Sequence, residues 1–103
     1  MTLQMQPADM PTYRAVSDDT VMATSLGDGT ALLDLRSNQY FSLAEVGAVV
    51  WQSLQTPRTL DQIVDDVLEI YEVERADCAR DVDTLLHELV GADLVEVTPA
   101  PGP

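Results

Sequence analysis

The chain has 103 residues, enough for one domain with one modest core. Asp and Glu number 18 against 5 Lys and Arg, all five being arginine, so the formal net charge is -13. That balance excludes a nucleic-acid binder, which needs cations to displace phosphate counterions, and disfavours an anionic membrane surface. It suits a monomer and favours encounter with a basic peptide.

Residues 1–17 carry Pro7, Pro11 and scattered polar side chains and are expected to form a flexible N-terminal segment. Met1 to Met10 lacks a basic region and an apolar run, so no signal peptide is expected, and no later apolar stretch is long enough to span a membrane. The single cysteine, Cys78, has no disulfide partner, which points to a reducing cytoplasm.

The domain is expected over 18–97. Val21 to Leu26 reads as a strand, Gly27-Asp28-Gly29 as a tight turn, and Thr30 to Leu35 as a second strand. After Arg36-Ser37-Asn38, Gln39 to Ser42 reads as a third strand, completing an antiparallel meander. Ser42-Leu43-Ala44-Glu45 has the pattern of a capping box, and Val46, Val49, Val50 and Leu54 follow at helical spacing until Pro57. Thr59-Leu60-Asp61-Gln62 is a second capping box, opening a helix with Ile63, Val64, Val67, Leu68 and Tyr71 on one face. A third helix is expected from about Arg75 to Val90, stopped by Gly91, with a short strand over Leu94 to Val97. Residues 98–103, rich in proline, are expected to be a disordered tail. Strands first and helices after argue an α+β fold: an N-terminal three-stranded antiparallel sheet followed by three helices, in a winged helix-turn-helix-like arrangement.

No catalytic constellation is visible. Cys78 and His87 are separated by about 13–14 Å along one helix and fall on different faces, so they form no dyad. One cysteine and one histidine supply no zinc set, the acidic pairs lack a calcium-loop pattern, and no glycine-rich phosphate loop precedes a helix. Neither metal nor cofactor is expected, and the protein is not expected to be an enzyme.

Four passages from Gly29 to Val97 resemble the family of the coenzyme PQQ synthesis protein D, also known as the recognition element for ribosomally made, post-translationally modified peptides. They are Gly29-Thr30-Ala31-Leu32-Leu33-Asp34-Leu35; Tyr40-Phe41-Ser42-Leu43 running on to Val46-Gly47-Ala48-Val49-Val50-Trp51; Thr59 to Val64 followed by Tyr71; and Asp81-Val82 leading to Leu85, Leu86, Leu89 and Ala92-Asp93-Leu94-Val95. Within that family the chain is most similar to the stand-alone recognition proteins of lasso-peptide pathways. It lacks a Pro-Glu-Gly turn before the third strand and the usual glycine just before Leu94-Val95.

The resemblance implies a non-catalytic module that binds the leader region of a precursor peptide by strand addition. The leader would lie along the third strand, in a cleft shared with the third helix, and be presented to a separate leader peptidase and a macrolactam cyclase. The implied peptide-binding residues are Asn38, Gln39, Tyr40 and Phe41 on the strand and Cys78, Asp81, Val82, Leu85, Glu88 and Leu89 on the helix. Lasso leaders carry a Tyr-x-x-Pro element, so an apolar pocket for an aromatic ring is expected in the cleft. The alternatives are a chaperone of the same family serving another precursor peptide and a radical SAM enzyme, and a winged-helix transcription regulator. The latter needs a basic recognition helix, whereas the third helix offers only Arg75 and Arg80 against Asp77, Asp81, Asp83 and Glu88.

Overall fold

A computed structural model describes residues 10–17, 19–27 and 29–99. The order of elements is β1 (Thr12–Ala15), β2 (Val21–Leu26), β3 (Gly29–Asp34), β4 (Gln39–Leu43), α1 (Val46–Ser53), α2 (Leu60–Leu68), α3 (Arg75–Gly91) and β5 (Val95–Thr98). The fold is α+β, with three helices and two antiparallel sheets.

The expected meander forms as a three-stranded sheet in the order β2-β3-β4. Leu26 pairs with Gly29, leaving a two-residue turn in which Gly27 takes φ 60, a conformation glycine adopts without steric cost. Gly29 is required for a different reason: a Cβ there would lie 2.7 Å from the Leu43 carbonyl oxygen. Between β3 and β4, Asn38 closes the turn at φ 61, where asparagine is tolerated better than most residues.

Ser42 does not cap a helix. It stays in β4 opposite Ala31, and the strand runs on to Leu43 opposite Thr30. The ladder with β3 wins over the capping box, and α1 starts after Glu45, which takes φ 49 and makes no side-chain cap bond. The second box forms as expected. Thr59 Oγ1 accepts from the Gln62 amide at 3.2 Å, and Gln62 Oε1 accepts from the Thr59 amide at 3.0 Å. Gly91 does not stop α3 but fills its last helical position; the reversal comes at Asp93, φ 61, where the Leu94 amide donates back to the Leu89 carbonyl at 2.9 Å.

The N-terminal segment is the main correction. Residues 12–15, expected to be flexible, form β1 and pair with β5 from Thr12↔Thr98 to Ala15↔Val95. The other side of β1 is also held. Tyr13 and Arg58 exchange backbone bonds of 2.7 and 2.9 Å, and the Ala15 amide donates to the Leu54 carbonyl at 2.8 Å. Thr98 belongs to β5 rather than to the tail. The rest of the two terminal expectations, at 1–9 and 100–103, lies outside the described residues. Four residues after a proline carry too little alternation to be read as a strand, and the partner lies 80 to 86 positions away.

The core lies between the helices and the inner sheet face. Leu32, Val50, Leu54, Ile63, Val64, Val67, Val82, Leu86 and Leu94 are fully buried. Ala15 and Val95 carry the β1–β5 ribbon into the same cluster. Ala15→Asp should therefore cost about 2–4 kcal/mol in urea unfolding, since it buries a charge without a partner. Arg14→Asp, on the exposed side of the same strand, should cost under about 1 kcal/mol.

Candidate functional site

β4 is an edge. It pairs with β3 on one side, and no strand pairs with its other side among the described residues. Such an edge presents backbone N–H and C=O groups that an added strand can satisfy. The side chains alternate. Phe41 is half-buried against the core and Leu43 is buried, while Tyr40 is 74% exposed on the outer face beside Leu33 and Met22 of the neighbouring strands. Gln39 and Asn38 are exposed at the start of the strand.

A charged lock holds the turn that aims this edge. Asp34 is buried and accepts from the Arg36 amide at 2.9 Å and from its guanidinium at 3.0 and 3.2 Å. The same guanidinium donates to the Asp93 carbonyl at 2.7 Å, tying the turn to the end of α3. The side-chain and backbone bonds from Arg36 hold the Asp34 carboxyl below its ordinary range.

On α3 the expected stripe divides. Val82 and Leu89 are 1% and 3% exposed, so they build the core under the helix rather than its open face. Leu85 is half-buried and faces the end of β4: a Cβ on Gly47 would sit 3.3 Å from Leu43 Cβ and 3.8 Å from Leu85 Cδ2. Glu88 is exposed near the C-terminal end of the helix. Cys78 and Asp81 meet in a concavity of about 400 Å³ whose other walls are Val46, Val67, Val73, Glu74 and Asp77.

Those five were missed as site residues. Val46 and Val67 stand at helical spacing and read as core, while Val73 and Glu74 sit in the link between α2 and α3. The available signal was Val73, an apolar residue in that acidic link, which the structure leaves 48% exposed. Asp77 lies one turn before Asp81 and extends the stripe already drawn.

Burial pushes the Cys78 thiol up, the Asp81 charge pushes it further and Arg75 pulls it partly back, a net direction that disfavours the reactive thiolate. His87 is exposed and contacts Asp83, with Nδ1 3.5 Å from the carboxylate, well apart from the buried Cys78. Among the described residues no three His, Cys, Asp or Glu side chains gather as a metal site, and no helix is long and apolar enough to cross a membrane.

A small α+β domain with a free strand edge and an apolar concavity between its helices is the class that fold and site define. The family model of coenzyme PQQ synthesis protein D (PqqD) matches residues 29–95, which include the edge strand, all three helices and the concavity. The chain belongs to the PqqD family. A solved structure described as TbiB1 in complex with the TbiA(beta) leader peptide is similar to it, with 30% identity and a TM-score of 0.71 over 81% of this chain and 94% of that one. No curated protein matches the chain.

The Asp34 lock has a defined pH sign. A carboxyl whose pKa is lowered by folding stabilises the fold above the ordinary aspartate value of 3.8, and that stability is lost as pH falls through the lower folded value. Urea midpoints measured from about pH 5 down to about pH 2 should fall for the parent chain. They should fall less for Asp34→Asn, which starts less stable.

Proposed function

We propose that this protein binds the leader region of a ribosomal precursor peptide, of lasso type, by strand addition to β4. The observation that carries the proposal is the free edge of β4, after which the chain turns into α1 and sets Val46 in the wall of the concavity on α3. Its support is the PqqD family match together with the likeness to a protein solved with a leader peptide. The leader adds as a fourth strand beside β4, from Asn38 to Phe41. Its backbone bonds supply affinity, and alternate side chains enter the cleft and supply specificity. An aromatic ring of the leader fills the concavity against Val46, Val67, Val73 and Cys78. Asp81, Leu85 and Glu88 line the helix side of the peptide, and Val82 and Leu89 hold that face from below.

The protein acts without catalysis, cofactor or metal, as a monomer in the cytoplasm. It presents the bound leader to a separate leader peptidase and macrolactam cyclase. We read the three helices with the β1–β5 ribbon as winged helix-turn-helix-like, an arrangement here serving peptide rather than DNA. The acidic exposed face of α3 supports that choice. The family description also suits the second reading, a chaperone delivering a different precursor to a radical SAM enzyme.

Two changes test the strand-addition mode by fluorescence anisotropy with a labelled Tyr-x-x-Pro leader. N-methylating the leader amides that face β4 should weaken binding at least about tenfold, since each removes a backbone bond, while methylating the intervening amides should matter little. Leu85→Asp, with thermal unfolding used to confirm the fold, should lower affinity by a similar factor. Equal tolerance of N-methylation at every position would rule out docking as a strand.

A further inference from the structure

The concavity has an apolar floor and an acidic rim, and the two together specify more than an aromatic anchor. Val46, Val67, Val73 and Cys78 form the floor; Glu74, Asp77 and Asp81 stand around it on one side of α3. Helix polarity accounts for Glu74 and Asp77, which sit at the N-cap and in the first turn. It does not account for Asp81, in the second turn, beyond the reach of the helix dipole.

Two cations stand near this rim, one paired outside it and one with a rim carboxylate, Asp77. Arg75 binds Asp65 at 2.8 Å, and Arg80 binds Asp77 at 2.8 Å. Of the other arginines, Arg36 and Arg58 pair with Asp34 and Asp66, and Arg14 stands opposite Glu96 across the β1–β5 ladder. Glu74 and Asp81 make no ion pair among the described residues. The carboxylates do not converge as a metal site either. They are spread along the helix as a line of negative charge beside an apolar hollow.

Resting on the leader-binding reading, we infer that the rim selects a lysine or arginine of the leader two residues from the ring that fills the concavity. In an extended strand, residues two apart point the same way and lie roughly 7 Å from each other. From Glu74 to Asp81 the helix rises roughly 10 Å, so a cation at that spacing stays within the rim when the ring is seated. The stem of a long basic side chain lies over the exposed part of Val73 while its charge lies in the field of Glu74 and Asp81. An acidic residue at the same leader position meets repulsion in place of pairing.

The test uses the full chain and two synthetic leaders that differ only in arginine or citrulline two residues from the tyrosine. At low salt the arginine leader should bind about three- to tenfold more tightly, as expected of partly exposed charge pairs. The advantage should shrink as salt rises. On the Glu74→Gln/Asp81→Asn variant the two leaders should bind equally, whatever their common affinity becomes. Asp19→Asn/Glu96→Gln, the same charge change outside the concavity, should preserve the advantage, which separates the rim from the general field of a chain at -13. Equal affinity of the two leaders, or an advantage that survives the rim variant, would overturn the inference and leave leader binding intact. No binding of either leader would overturn the leader-binding reading and the inference together.

Discussion

The site depends on how the chain leaves β4. Leu43 is paired to Thr30, buried, and followed within two residues by Glu45 at positive φ, where the backbone turns into α1. The chain therefore departs from the sheet before another strand can be laid beside β4. The same turn brings Val46 and Gly47 against α3, so the edge and the concavity are consequences of one reversal. Gly29 makes that geometry possible, since any larger residue would push on the Leu43 carbonyl.

Charge is distributed to match. Four of the five arginines pair with carboxylates and Arg14 stands opposite Glu96 in the β1–β5 register, which leaves the excess of acids to set the field around the molecule. The Asp34–Arg36–Asp93 lock uses one of those cations to fix the β3–β4 turn to the end of α3. It holds the two walls of the cleft in register from the end opposite the concavity. The β1–β5 ribbon closes the other side of the core, where Ala15 and Val95 are buried.

Local signals were legible. Gly27 and Gly29 marked the hairpin, Thr59 and Gln62 the start of α2, and the apolar spacing the three helices. Competing or distant interactions were not. Ser42 carries a good capping pattern, but its backbone belongs to the β3 ladder. β1 exists only because β5, Leu54 and Arg58 supply its bonds, and no periodicity announces a partner so far along the chain. On α3 the apolar spacing cannot divide Val82 and Leu89, which face inward, from Cys78 and Asp81, which border the concavity. That division is made by α2 and by the link carrying Val73, which the helix does not encode.

The central claim is that β4 accepts a peptide strand, and amide hydrogen exchange measured by NMR tests it most directly. With a Tyr-x-x-Pro leader added, the amides on the free side of β4 should become protected, with shift changes on the Cys78–Leu85 face of α3. Those of β2, also at a sheet edge, should be unchanged. Protection on β2, or none on β4 while the leader is bound, would contradict the account.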